Sequence, residues 1–238
     1  MIKKPILYVI LSFLFCVSCT TQKKEYDTRA IASLDAMSEA IGNLTSCSYT
    51  VNIVNNRSES VEVIKEDDVY MRGPNKMYIH SNRSDGMIGY WFNGETLSYF
   101  SYTKNEHSTI KIPGTIIDAI DFSHEKFGID FPASDFFYPK LTEDLISQYN
   151  SIFYVGEVEF DGLKCISIVA NNNEETLQIW IHKESNLPRG MLIESKINKA
   201  QSYEAIFSNL KVDPSLPDAL FEFSAPSDSK QIQLQPKK

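Results

Sequence analysis

The stretch IWIHKESNLPRGMLI, residues 179–193, sets His182 and Glu184 two positions apart beside Trp180 and Arg189, the side chains of a small general acid/base site. Such a pair acts only with a nucleophile or an oxyanion donor in reach. The alternation of the same stretch says where the pair stands. Leu177, Ile179 and Ile181 share one face of a strand, while Gln178, Trp180 and His182 share the other. Asn186-Leu187-Pro188 then turns the chain, and Met191 and Ile193 restore the apolar face on the way back. His182 therefore belongs at a strand end on the face opposite the apolar set, and Glu184 in a solvated turn. No catalytic residue is expected, and a hydrolase has no clustered acid and base to work with.

Other chemistry is equally thin. The four histidines, His80, His107, His124 and His182, fit neither H-x-x-x-H nor H-E-x-x-H, so no metal is expected. No P-loop, dinucleotide fingerprint or G-x-S-x-G elbow occurs, and no cofactor is expected. The acidic run Glu66-Asp67-Asp68 reads as a solvated turn. A net charge of −8 disfavours a nucleic-acid partner, which would need a basic face to displace counterions from phosphates.

The elements that would position any site begin after a leader. Lys3 and Lys4 precede an apolar run from Pro5 to Val17, too short to span a bilayer comfortably, which marks a secretory signal over residues 1–18. The run closes on Cys16-Val17-Ser18-Cys19, a pattern similar to a bacterial lipobox, although Cys16 stands where Leu, Val or Ile is usual. The expectation is that Cys19 becomes the mature N-terminus, carrying a diacylglycerol thioether and an N-linked acyl chain of the palmitate kind. Several chains at about 0.8 kcal/mol per buried methylene make a durable membrane anchor. Thr20 follows, not the aspartate of inner-membrane retention, so the expected destination is the periplasmic side of the outer membrane. Residues 19–27 serve as a tether. Cys47 and Cys165 then remain, free to pair in an oxidising envelope or to stay buried as thiols.

From Asp27 onward Ile31, Leu34, Met37, Ile41 and Leu44 recur three or four apart, one apolar stripe of a helix capped by Asp27 or Thr28 and ended near Gly42-Asn43. Further helices are predicted near PGTIIDAIDFSHEKFG and LTEDLISQY. The rest is strand-like with period two: Tyr49, Val51 and Ile53; Met77 and Ile79; Ile88, Tyr90 and Phe92; Leu97 and Tyr99. After residue 150 the pattern resumes with Ile166 and Ile168, the Leu177 and Met191 sets, and Tyr203 with Phe207. Turns at Gly73-Pro74-Asn75, Ser84-Asp85-Gly86, Asn93-Gly94-Glu95, Asp161-Gly162 and Asn171-Asn172-Asn173 join the strands. Short turns give an antiparallel meander, because parallel pairing needs long crossovers. No repeat or linker divides the chain, so a single domain is expected over residues 28–226, with a tail at 227–238.

The order of DAMSEAIGNL, YMRGPNKMYIH, YWFNGETLSYF, FGIDFPASDFFYP and the Phe221-Glu222-Phe223 ending resembles an uncharacterised family of periplasmic proteins, domain of unknown function 2092. The hairpin at 179–193 resembles that of the LolA-like superfamily, which includes periplasmic lipoprotein carriers and the envelope sensor RseB. The resemblance implies a mainly β, α+β fold: an incomplete antiparallel β-barrel, strongly curved, with helices packed on the concave face. It implies a lipid-anchored protein that binds an acyl chain or another hydrophobic ligand in its half-barrel. The candidate lining is the apolar set Tyr49, Val51, Ile53, Met77, Ile79, Ile88, Tyr90, Phe92, Leu97, Tyr99, Leu177, Ile179, Ile181, Met191 and Ile193. The competing readings are an RseB-like sensor or scaffold that engages another protein, and a half-barrel filled as an ordinary core.

Overall fold

The computed structural model describes residues 24–58, 61–131, 134–138 and 140–237, with backbone alone at 57–58, 61–64 and 135. The apolar leader and Cys16-Val17-Ser18-Cys19 lie outside the described residues. Among the described residues, no helix is long and apolar enough to cross a membrane.

The first half runs β1 (Glu25–Tyr26), α1 (Thr28–Gly42), β2 (Ser46–Ser58), β3 (Val61–Arg72), β4 (Lys76–Arg83), β5 (Gly86–Phe92), β6 (Thr96–Ser101) and β7 (Glu106–Lys111). A helical passage follows with α2 (Ile116–Phe127), a 3-10 turn (Ser134–Phe137) and α3 (Leu141–Gln148). The second half runs β8 (Ser151–Phe160), β9 (Leu163–Asn171), β10 (Glu175–His182), β11 (Pro188–Ser195) and β12 (Ser202–Val212), then a 3-10 turn (Asp218–Phe221) and β13 (Lys230–Gln231).

All thirteen strands form one sheet in the order β1-β8-β9-β10-β11-β12-β2-β3-β4-β5-β6-β7-β13. The two meanders are joined by β12 against β2, where Phe207 faces Val51 and Ala205 faces Ile53. β7 and β8 are consecutive strands yet stand near opposite ends of the sheet, so the passage from Ile112 to Asn150 crosses its concave side and carries the helices there. The protein is thus mainly β, one large curved sheet that does not close on itself. The chain's own ends pair in parallel with the outermost meander strands: Glu25–Tyr26 with β8 and Lys230–Gln231 with β7. Each of these pairings involves two residues, at the start of β8 and the start of β7, and occupies backbone groups there that would otherwise offer a template for edge-to-edge association.

Local sequence accounts for the helices. In α1, Ala30, Leu34, Met37 and Ile41 are buried at the spacing of one stripe, and Asp27 caps the start by accepting from the Arg29 amide at 2.8 Å. Burying each of the larger side chains stabilises by about 1.5–3 kcal/mol. In α2, Thr115 and Asp118 form a reciprocal capping box, and Gly128 ends the helix at φ 63°, a left-handed conformation that costs glycine little.

The convex side is covered along one band. Trp91 stacks on Tyr78 at 5.0 Å, and Phe223 from the C-terminal segment lies 4.9 Å from Trp91. The indole lies over Gly89, where a Cβ would stand 2.2 Å from the ring.

Candidate functional site

The register places the whole candidate set on the helix-covered face. Met77, Phe92 and Leu97 form one row, and Ile79, Tyr90 and Tyr99 the next. Across the seam, Ile179, Met191, Ala205 and Ile53 form another, with Leu177, Ile193 and Tyr203 beside it. These rows are mostly core, and some of their members also face a cavity. Over most of the sheet α1, the 3-10 turn at 134–137 and α3 fill the hollow, burying Tyr49, Val51, Met77, Ile79, Phe92, Leu97, Leu177, Ile179 and Ile181 in one core, with Ile88 and Tyr99 half-buried against it. Toward the C-terminal end of α2 the filling stops. An open cavity of about 750 Å³ remains, and Ile53, Tyr90, Met191 and Ile193 are the four members of the set that line it; the first three are at the same time buried members of the core, and Ile193 is half-buried. Ile120, Ile129, Phe131 and Tyr203 complete its apolar wall. A second, smaller pocket of about 320 Å³ lies toward the opposite end of α2, between Ile41, Met71, Ile116 and Phe137.

The larger cavity has a polar floor that breaks the apolar pattern. On β3 and β4, Lys65 stands directly opposite Arg83, and one row away Asp67 stands opposite Ser81. Asp67 is completely buried, and Lys65 Nζ lies 2.8 Å from its Oδ2. No well-directed hydrogen bond reaches either oxygen of that carboxylate among the described residues. Burial pulls the Lys65 ammonium below its ordinary value, against the opposing pull of Asp67. Arg83 Nε donates to Ser81 Oγ at 3.1 Å. Burial pushes the Tyr90 phenol up to about 12, with the neighbouring Arg83 acting in the opposite direction. On the α2 side the rim is exposed: His124 and Asp130 share a hydrogen bond at 2.5 Å, and the Tyr138 hydroxyl donates to Asp121.

This floor corrects one expectation. Glu66-Asp67-Asp68 is not a turn but the middle of β3, paired on both sides, so alternate residues of the run enter the sheet's two faces. Asp68 accepts a hydrogen bond from Thr50 at 2.7 Å on the convex side, and Asp67 faces inward. The signal lay in the alternation: Val69 and Met71, extended backward by twos, lead to Asp67 and Lys65.

His182 ends β10, and its Nδ1 shares a 2.8 Å hydrogen bond with Ser185 Oγ of the same turn, while Glu184 is exposed. Trp180 stacks on Phe160 at 4.2 Å on the convex face. Cys47 and Cys165 are both buried and free. Burial pushes the Cys47 thiol up to about 12. Among the described residues, no group of three or more His, Cys, Asp or Glu side chains is placed to hold a metal ion.

A family model described as "Predicted periplasmic protein (DUF2092)" matches residues 30–235, and the chain belongs to that family. Among solved structures, the chain is similar to an uncharacterized conserved protein from Thermus thermophilus, at 12% identity over 86% of this chain and 98% of that one, with a TM-score of 0.54. It is also similar to the Mycobacterium tuberculosis lipoprotein LppX, at 15% identity over 80% of this chain and 98% of that one, with a TM-score of 0.51. At these identities the likeness is one of fold. No curated protein matches the sequence.

Proposed function

We propose that this member of a predicted periplasmic family is a lipid-anchored envelope protein that shelters a hydrophobic ligand, an acyl chain or a lipid, at the open end of its half-barrel. The observation that carries the reading is the cavity of about 750 Å³ walled by Ile53, Ile129, Met191 and Ile193. Its size falls within the roughly 300–1,000 Å³ of small-molecule sites, and an apolar wall set against a polar floor and a charged rim suits an amphiphile.

The anchor is Cys19, tethered to β1 by a few residues whose extended reach is at most roughly 20 Å. Cys19→Ser should abolish acylation of the mature N-terminus, which mass spectrometry of the N-terminal peptide reads directly. An unmodified N-terminus elsewhere in the native protein would remove the anchor from the proposal.

Ligand binding is tested by extracting the gently purified protein with organic solvent and analysing the extract by mass spectrometry, beside titration of a fluorescent fatty-acid probe into the soluble chain starting at Thr20. Co-purified lipid together with saturable probe binding supports the reading. A lipid-free protein that ignores the probe overturns it and leaves the RseB-like sensor or scaffold.

A further inference from the structure

The polar floor points to the kind of ligand. We propose that Lys65 and Arg83 bind the anionic head group of an amphiphile, a carboxylate or a phosphate, while its tail lies along Ile53, Met191 and Ile193. The proposal rests on the acyl-cavity reading above and narrows it to acidic lipids over neutral ones.

The first argument is the placement of charge. From β9 through β2 the row continuing into Lys65 and Arg83 is apolar: Ile168, Ile179, Met191, Ala205 and Ile53. Like charges directly opposite each other on adjacent strands repel. A buried ion pair is no better for stability than apolar residues of the same shape, so packing alone does not call for Lys65 and Asp67 at this level of the sheet. Breaks in an otherwise consistent pattern are expected at functional positions.

The second argument is the balance. At the floor are two half-buried cations and one fully buried carboxylate, and Lys65 with Asp67 accounts for one of each. Arg83 spends its Nε on Ser81, and no carboxylate lies within ion-pair distance of it among the described residues. It lines the cavity, half-buried, where a guanidinium fork matches carboxylate or phosphate oxygens. The other acidic groups of the lining, Asp121 and Glu125 on α2 and Asp130 just after it, are exposed and screened by water and salt, although the charge of Asp130 still reaches Lys65. Two of these already have partners in Tyr138 and His124. An anion that reaches the floor meets two half-buried cations beside one fully buried carboxylate, whereas one outside meets an exposed, screened acidic rim.

The test compares probes that share a chain and differ in the head: hexadecanoate, hexadecyl phosphate, hexadecanol and hexadecyltrimethylammonium, each displacing the fluorescent fatty-acid probe from the chain starting at Thr20. Both anions should displace it at about tenfold lower concentration than the alcohol, and the ammonium compound should be the weakest. Arg83→Gln should bring acid and alcohol within about twofold, and Arg83→Lys, which keeps the charge, should restore most of the difference. Equal displacement by acid and alcohol in the unaltered protein, a comparison that needs no variant to fold, would overturn the head-group site and leave the acyl cavity standing. Displacement by inorganic phosphate as effective as by hexadecyl phosphate would also overturn it, assigning the floor to free anions. Failure of every chain-bearing compound would instead overturn the acyl cavity itself.

Discussion

The Lys65–Asp67 pair makes the sharpest test of the fold's energetics. Lys65→Met removes the ammonium and leaves Asp67, 0% exposed, without its ion-pair partner. At 2.8 Å and an effective dielectric constant of about 20, the attraction between the two charges is roughly 6 kcal/mol. Desolvation costs several kcal/mol for each ion, so the pair as a whole comes out near zero. Removing one partner keeps the cost of Asp67 and discards the attraction, which should destabilise the protein by about 3–5 kcal/mol. For a chain of this size that corresponds to a fall in Tm on the order of 10 °C. Lys65→Met combined with Asp67→Leu removes both charges and should lie within about 1 kcal/mol of the unaltered protein, or above it. Urea titrations of all four proteins, including Asp67→Leu alone, give the coupling energy. Should Lys65→Met cost under about 1 kcal/mol, water from the cavity must already solvate Asp67, and the account of a fully buried carboxylate fails.

Three further outcomes follow from the same structure. Ile193→Trp, on the cavity wall, should weaken fatty-acid probe binding with little change in Tm, whereas Ile179→Trp, 2% exposed in the filled core, should cost about 1–3 kcal/mol by overpacking; equal effects from the two would erase the distinction between wall and core. The Cys47 thiol, raised from 9.0 to about 12 by burial, keeps its proton in the folded chain where the unfolded chain releases it, so its contribution to stability is full below pH 9 and is lost as pH rises toward 12. Tyr49 and Tyr90 act in the same direction and Lys65 in the opposite one, so urea midpoints should decline above pH 9, and Cys47 should resist iodoacetamide at pH 8 until denaturant is added. Phe223→Ala should cost about 2 kcal/mol by uncovering Trp91, and ending the chain at Phe223 should free the β7 edge and produce self-association measurable by light scattering.

Much of this molecule was legible as a sequence because its strands have two unlike faces. Where period two is clean, as in Tyr49-Val51-Ile53 or Leu177-Ile179-Ile181, a residue's face follows from counting alone. The helix over Thr28–Gly42 was legible for the same reason with a different period, and its cap at Asp27 was written next to it. The lipobox-like pattern at Cys16-Val17-Ser18-Cys19 is read from local order alone; it lies outside the described residues and belongs to the proposal. Only the tertiary structure decided which of the apolar residues lie wholly inside the filled core and which also face the cavity. That depends on how far α1 and the helical passage at 112–150 reach across the sheet, a distance no periodicity contains. It alone decided that β12 pairs with β2, since loop length restricts neighbours in sequence but leaves the seam between two meanders open. And it alone moved Asp67 from a solvated turn to a fully buried place beside Lys65. A run of three acids reads as surface because burying a charge is costly; here Lys65, two residues away on the same face of β3, offsets part of that cost, and the burial itself arises only once the sheet has formed.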